Sequence, residues 1–167
     1  MTTAPIADGD AAQRLNEVVS EWGRQWREGG MLGEIEHHES PDDKGHFHWL
    51  IRLHGDEKDV ITVWLSLRQR TVHVETELMP APEENHEELF RYMLVKNADM
   101  RILHVAIGPE NGIYLMTQIP VGEMSLERLD ELVGATLTYV DEIFPTAMTM
   151  GYGSLYRRRK KTQPDAR

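Results

Sequence analysis

Cysteine is absent from this chain of 167 residues. That absence excludes disulfide bonds, thiolate metal ligands and cysteine nucleophiles. Long apolar runs are missing too, and none approaches the roughly 18 residues that a membrane-spanning helix needs. The N-terminal residues contain neither a basic segment nor an apolar stretch, so they lack the pattern of a secretory signal. We therefore expect a cytoplasmic protein.

Sequence motifs of the common enzyme classes are also missing. The chain contains no Gly-x-Ser-x-Gly nucleophile motif, no phosphate-binding lysine loop and no dinucleotide-binding fingerprint. The densest group of carboxylates, Glu83-Glu84 with Glu87-Glu88, fits the solvated N-terminus of a helix. We therefore predict a protein that is not an enzyme and that has no cofactor.

Acidic residues outnumber basic ones, but unevenly along the chain. The formal net charge is -10. Residues 156–167 contain six basic residues and one acid, so residues 1–155 hold the other 12 basic and 27 acidic residues, a net charge of -15. A body this acidic repels phosphate backbones and is poorly suited to binding nucleic acid.

The basic residues near the C-terminus form one uninterrupted run: Arg157, Arg158, Arg159, Lys160 and Lys161. This run has three interpretations, namely weak contact with nucleic acid or anionic lipid, folding back onto the acidic body, and a solubilising tail. We expect residues 156–167 to be a disordered tail and residues 1–9 to be a flexible N-terminus, with a single domain at residues 10–155.

Hydrophobic periodicity predicts the first half of the fold. Residues 10–30 carry one apolar stripe at helical spacing. The period changes to two in three later runs, 46–54, 60–67 and 71–78, each with one apolar face. The links between these runs are short, which favours an antiparallel meander.

The second half again combines helix and strand. Pro80 and Pro82 stop the sheet and open a helix. Two further strands meet at Asn111-Gly112, a strong hairpin signal, and Ser125 caps a final helix. The resulting order is α-β-β-β-α-β-β-α. Because the strands come in adjacent runs, this order predicts an α+β fold with an antiparallel sheet covered by helices.

Several short motifs between about Trp49 and Gly151 resemble a known family. They are Leu78-Met79-Pro80-Ala81-Pro82, Leu89-Phe90-Arg91-Tyr92, Asn97-Ala98-Asp99-Met100, His104-Val105-Ala106-Ile107-Gly108, Gly112-Ile113-Tyr114-Leu115, Val140-Asp141 and Phe144-Pro145-Thr146-Ala147-Met148. Together they resemble the YbjN family of bacterial sensory transduction regulators, in a form common in actinobacteria. The order of elements is similar to the fold of type III secretion chaperones. The resemblance implies a chaperone-like α+β fold and a dimer, and it supplies no catalytic residues.

Histidine is the most conspicuous residue with chemical potential. His46 and His48 are spaced i, i+2 on a predicted strand, and His54 shares their face. Converging imidazoles can bind zinc or another transition metal, and they titrate near neutrality. Arg52 lies among them and would repel a cation, so the same residues also fit the polar face of a half-solvated sheet. A ligand- or metal-sensing regulator is therefore the alternative function.

Surplus apolar side chains support the principal functional hypothesis. Trp64, Tyr114 and Met116 lie on strand faces opposite the predicted core residues. Apolar residues on the second face of a sheet need either a covering helix or a partner, and the sequence leaves both alternatives open. We predict that these three residues form the binding face of a non-enzymatic, homodimeric protein-binding module with a chaperone-like or regulatory role.

Overall fold

The computed structural model of the chain describes the backbone of residues 9–162 and the side chains of residues 9–155. The strands are β1 (Leu32–His37), β2 (Phe47–His54), β3 (Val60–Leu67), β4 (Thr71–Met79), β5 (His104–Ile107) and β6 (Ile113–Pro120). The α-helices are α1 (Gly9–Arg27), α2 (His86–Asp99) and α3 (Leu126–Thr162), and short 3-10 turns cover Pro109–Asn111 and Val121–Glu123. The predicted N-terminal extension and the basic side chains of the C-terminal run lie outside the described residues.

The strands form one six-stranded sheet of order β1-β2-β3-β4-β6-β5, with every neighbouring pair antiparallel. The predicted α+β class, the antiparallel sheet and the order of elements are confirmed. The structure adds one strand, β1, before the predicted ones. Its register with β2 shifts at a bulge between Leu32 and Glu34. A bulge breaks the period of two, which is why apolar alternation did not reveal this strand.

One apolar core lies between the sheet and the three α-helices. The sheet contributes alternate side chains such as Trp49 and Val74, each at most 1% exposed. The helices contribute the buried sides of Trp22, Leu89 and Val133, one residue from each of α1, α2 and α3. Because all of these side chains join the same cluster, the three helices cover the same face of the sheet. We call this face the core face and the opposite one the outer face.

Indole hydrogen bonds fix α1 against α3. Trp22 and Trp26 both donate to Asp130 Oδ1 of α3, at 3.2 and 2.6 Å. Trp22 is fully buried, so its N–H needs a protein partner. Gly23 lies beside it, and a Cβ there would clash with the Ile35 side chain of β1. The glycine therefore lets α1 pack closely on the sheet.

The segment between β4 and α2 is held by α3 and does not form a helix. α2 begins at His86, after Asn85 with φ 56°. The prediction that Pro80 and Pro82 open this helix is therefore wrong, although they do follow the end of β4. Two backbone N–H groups of the segment donate to the Gly151 carbonyl oxygen, at 3.0 and 3.1 Å. These contacts between distant parts of the chain replace the helical hydrogen bonds that a local pattern would predict.

α3 is the longest helix of the described chain, at 37 residues. Ser125 caps it as predicted, because its Oγ accepts the Arg128 N–H at 3.1 Å. The helix continues through Pro145 and is kinked at Tyr152, where φ is -136° and ψ is 21°. None of the helices in the described range is long and apolar enough to cross a membrane.

The predicted hairpin joins β5 to β6, with a shift of one residue. Gly112 donates its N–H to the Pro109 carbonyl oxygen at 3.0 Å. The positive φ angles fall on Glu110 and Asn111, at 55° and 60°, while Gly112 has φ -65°. The Asn-Gly pair therefore marked the hairpin correctly but not the residues that take the left-handed conformation.

The two edges of the sheet differ. At the β5 edge, the Asn97 side chain of α2 pairs with both backbone groups of Val105. Its Nδ2 donates to the carbonyl oxygen at 3.0 Å, and its Oδ1 accepts the N–H at 2.6 Å. At the other edge, β1 pairs with β2 and with no other strand of the described chain. An amide side chain thus occupies the position where another strand would add at β5, whereas the β1 edge is open.

Candidate protein-binding face

The outer face brings the predicted binding residues together. Trp64 of β3 lies directly opposite Glu75 of β4, and Glu75 lies opposite Met116 of β6. Tyr114 lies opposite Glu77 in a neighbouring row. Directly opposed residues of an antiparallel pair have Cβ atoms about 4.5–5.5 Å apart. Trp64, Tyr114 and Met116 therefore belong to one continuous surface, with Glu75 and Glu77 between them.

Apolar area is exposed on this surface. Trp64 is 42% exposed, and Val60 on the same strand face is 49% exposed. Leu50 lies directly opposite Trp64 and is only 5% exposed, although it is not part of the core cluster. Neighbouring side chains on the outer face therefore shield Leu50, with Trp64 directly beside it. An uncovered group of apolar side chains rimmed by polar ones is typical of interaction sites.

Carboxylates on the outer face fall into two groups. At the β1 edge, Glu34 and Glu36 both pair with Arg52, and the Glu36 Oε1 to Arg52 Nη1 distance is 2.7 Å. In the centre, Glu75 and Glu77 form no ion pair with any side chain of the described residues. The acidic charge is therefore paired at the edge, whereas in the centre only Glu77 has a cation nearby, the Lys58 amine.

Two contacts of Glu77 define the electrostatics of the centre. The Tyr114 hydroxyl donates to its carboxylate at 3.4 Å, and burial together with this carboxylate raises the pKa of Tyr114. Lys58 donates to the backbone carbonyl oxygen of Glu77 at 2.6 Å and not to its carboxylate. Burial lowers the pKa of the Lys58 amine. The centre of the outer face therefore combines exposed apolar area with negative charge.

Histidines gather at one end of the outer face. His48 Nε2 lies 2.8 Å from Asp42 Oδ2, and His48 Nδ1 lies 2.9 Å from Ser66 Oγ. The rings of His46 and His48 are 6.3 Å apart, and His73 lies opposite Ser66 on the next strand. Hydrogen bonds from the His46 backbone N–H and the His48 ring hold the pKa of Asp42 well below its usual range.

His54 is not part of this group. It lies at the opposite end of β2 from His48, so the three histidines of the alternative hypothesis do not converge. Both ring nitrogens of His48 already have hydrogen-bond partners. Across the residues that the structure describes, no group of three or more His, Cys, Asp or Glu side chains is arranged to hold a metal ion.

A second exposed apolar surface lies on α2. Leu94 is 70% exposed and Val95 is 63% exposed. Phe90 lines the same shallow groove, together with one acid, Glu87, and one base, Arg91. We call these five residues the α2 patch. Unlike the centre of the outer face, the α2 patch carries balanced charge.

Residues 32–147 match the family described as "YbjN: Putative bacterial sensory transduction regulator". This range contains all six strands, α2 and the first part of α3. The chain belongs to the YbjN family. The resemblance carried by the sequence motifs is thereby confirmed.

Mycobacterial proteins are among the relatives of this YbjN chain. It is 26% identical over 105 residues to the uncharacterized protein ML2442 of Mycobacterium leprae, with 63% of this chain matched. It is 27% identical over 109 residues to the uncharacterized protein Rv0487 of Mycobacterium tuberculosis, with 65% of this chain matched. The matches cover 57% and 60% of the length of these relatives, so the chain spans less than two thirds of each.

Solved structures similar to the YbjN chain include type III secretion chaperone complexes. The heterodimeric ExoU-SpcU complex of Pseudomonas aeruginosa matches with a TM-score of 0.47 and 12% identity, over 57% of this chain and 80% of that chain. The Yersinia pestis chaperone SycH, in complex with a fragment of YscM2, matches with a TM-score of 0.49 and 15% identity, over 77% of this chain and 98% of that chain.

Sequence reasoning missed that Glu75 and Glu77 lie beside the predicted binding residues, and it missed the exposure of the α2 patch. The carboxylates could not be placed beside Trp64 because the order of strands in the sheet was not known. The α2 patch did leave a signal in the YbjN chain. Leu89-Phe90 and Met93-Leu94 are adjacent apolar pairs, which make the apolar stripe of the helix wide. Only Leu89 and Met93 are buried in the core, so the second residue of each pair lies beside the buried face.

Proposed function

We propose that this YbjN protein is a non-enzymatic, cytoplasmic protein-binding module with a chaperone-like or regulatory role, and that its outer face docks the partner. The observation that carries the proposal is the position of Trp64. Trp64 is 42% exposed on a sheet face that none of the described helices covers. Tryptophan combines large apolar area with few rotatable bonds, so it is frequent at the centres of binding sites.

We further propose that the protein is a homodimer formed through the α2 patch. Two-fold symmetry makes a surface face its own copy. Self-pairing of the outer face would bring Glu75 and Glu77 of two copies together, which costs free energy because like charges repel. The α2 patch has Glu87 and Arg91 beside exposed apolar residues, so two copies can meet there without a net charge penalty. The two proposed surfaces therefore serve different partners.

The experiment compares variants of the full-length protein by affinity capture from the cytosol of its own cells, followed by mass spectrometry. We expect wild type to retain a stoichiometric protein partner and Trp64→Asp to lose it. Met31→Asp is the matched control, because Met31 is 43% exposed but lies outside the sheet. If Trp64→Asp folds and retains the same partner as wild type, the outer face is not the docking site.

The dimer is tested separately by light scattering of the purified protein. We expect twice the chain mass of 19.2 kDa for wild type and for Trp64→Asp. Leu94→Asp places a charge at the most exposed apolar position of the α2 patch and should give the single-chain mass. A wild-type protein that stays at the single-chain mass at high concentration, or a dimer that survives Leu94→Asp, rules out this interface.

A second proposed function is that of a ligand- or metal-sensing regulator, although no three side chains of the described residues are arranged to hold a metal ion. His46 and His48 lie 6.3 Å apart, and His38 lies 6.4 Å from His48, measured between ring centroids. A ligand that prefers the native state raises the melting temperature. A rise on adding Zn²⁺ or Ni²⁺ that is lost in His48→Ala would favour sensing, and an unchanged melting temperature would remove it.

A further inference from the structure

The chemistry of the outer face also indicates what kind of segment it binds. Glu75 lies between Trp64 and Met116 in the cross-strand register, and Glu77 follows two residues later on the same strand face. Side chains two residues apart on a strand are about 7 Å apart. Glu75 is therefore the direct cross-strand neighbour of Trp64, and Glu77 is its diagonal neighbour at about 7–8 Å. Among the described side chains neither carboxylate forms an ion pair, although the Lys58 amine lies near enough to Glu77 to attract its charge.

Removing these carboxylates from water is costly unless a cation pairs with them. A docked segment that covers Trp64 also covers part of Glu75, so a purely apolar segment would leave a desolvated charge behind. Arginine avoids this cost best, because its planar guanidinium can pair with a carboxylate through two hydrogen bonds and can stack on an indole at the same time.

We propose that the segment bound by the outer face is a basic amphipathic stretch of a partner protein, with arginines that pair with Glu75 and Glu77 and apolar side chains that contact Trp64 and Met116. This inference rests on the proposed function of the outer face. Charge complementarity selects this occupant. Nucleic acid would bring phosphates against the two carboxylates, and a second outer face would bring further carboxylates.

The test measures binding of the full-length protein to a fluorescein-labelled peptide of twelve residues, half arginine and half leucine, by fluorescence anisotropy. The same peptide with glutamate in place of arginine is the reference. We expect the glutamate peptide to bind at least tenfold more weakly. We also expect the Kd of the arginine peptide to rise at least tenfold between 50 and 300 mM NaCl, because salt screens exposed ion pairs. Equal binding of the two peptides would overturn the inference.

Paired variants separate local charge from overall charge. Glu75→Gln/Glu77→Gln should raise the Kd of the arginine peptide at least tenfold. Glu34→Gln/Glu36→Gln removes the same formal charge from the same sheet face but at the Arg52 edge, and should change the Kd less than twofold. Equal effects of the two double variants would show that only net charge matters, which overturns the inference. If a double variant fails to fold, the single variants Glu75→Gln and Glu34→Gln make the same comparison.

The basic run at residues 157–161 has the same chemistry as the proposed segment. The full-length chain with these five residues replaced by glutamine distinguishes the two sources. Unchanged peptide affinity supports an external partner. Affinity that tightens tenfold in this variant, but not when Glu75→Gln/Glu77→Gln is added to it, shows that the chain's own run occupies the face and overturns the proposal.

The native partner separates failure of this inference from failure of the proposed function. If the partner is lost in Trp64→Asp but retained in Glu75→Gln/Glu77→Gln, the outer face is the docking site and its partner segment is not basic. If the partner is retained in both variants, the proposed function itself is wrong.

Discussion

Two buried threonines differ in whether the side-chain hydroxyl has a hydrogen-bond partner, so the same substitution at each position tests what that hydrogen bond contributes. Thr76 of β4 points into the core and is 1% exposed, and its Oγ1 has no hydrogen-bond partner among the described residues. Thr136 of α3 is 0% exposed, but its Oγ1 donates to the Leu132 carbonyl oxygen at 2.8 Å. Replacement by valine exchanges each hydroxyl for a methyl group of similar size. We expect Thr76→Val to stabilise the protein and Thr136→Val not to do so.

The magnitude follows from the cost of a buried hydroxyl without a partner, about 1–3 kcal/mol. Removing that cost at Thr76 should raise the free energy of unfolding by about 1–2 kcal/mol. For a chain of this size, that increase corresponds to a rise in melting temperature of roughly 2–8 °C. At Thr136, the loss of a hydrogen bond worth about 0.5–1.5 kcal/mol opposes a gain of about 0.8 kcal/mol from the buried methyl group. The expected outcome there lies between a gain of about 0.3 kcal/mol and a loss of about 0.7 kcal/mol.

Urea unfolding monitored by far-ultraviolet circular dichroism measures both variants against wild type, with the slope of the transition as a check that the unfolded states are comparable. A destabilised Thr76→Val, or equal shifts in the two variants, would refute the reasoning. Either result would mean that the Thr76 hydroxyl contributes to stability in solution and is not a weakness of the core.

Two further predictions concern single carboxylates. Asp130→Ala leaves the buried Trp22 N–H without its acceptor and should lower the free energy of unfolding by about 1–3 kcal/mol in the same urea assay. The control, Glu131→Ala, breaks only an exposed ion pair within α3 and should lower it by less than about 1 kcal/mol. Similar losses in the two variants would contradict a stabilising role for the hydrogen bond from Trp22 to Asp130. Asp42→Asn tests the pH dependence of stability. The pKa of Asp42 is lower in the folded protein than in the unfolded chain, so the ionised carboxylate stabilises the fold. This contribution is complete above the unfolded pKa of about 3.9 and is lost as the pH falls through the folded pKa. The stability difference between wild type and Asp42→Asn should therefore shrink from pH 6 to pH 3, and a constant difference would argue against this pairing.

The strands were predictable where one face is buried along their whole length. The runs 46–54, 60–67 and 71–78 match β2, β3 and β4 to within one residue at each end, because burial of one face forces apolar residues into alternate positions. Two other features depend on contacts that no local pattern contains. The bulge in β1 is set by its pairing with β2, and the start of α2 is delayed by hydrogen bonds to Gly151.

The apolar residues of the candidate site could be predicted from the sequence, but their exposure and their acidic neighbours could not. Alternation alone assigned Trp64, Tyr114 and Met116 to the face opposite the core, and the register places them there. Whether a helix covers that face is a tertiary property, because the same amphipathic helices could pack on either side. The neighbours of Trp64 depend on β4 lying between β3 and β6, so the position of Glu75 required the structure.

The two hydrogen bonds between the Asn97 side chain and the Val105 backbone restrict how copies of this protein can associate. A sheet with two open edges can join copies head to tail, and such joining has no natural end, so it gives filaments. With the β5 edge occupied by an amide side chain, only the β1 edge is available for strand pairing. Joining β1 to β1 uses the same edge of both copies and stops at two. Asn97 thus limits extension of the sheet by strand pairing to two copies.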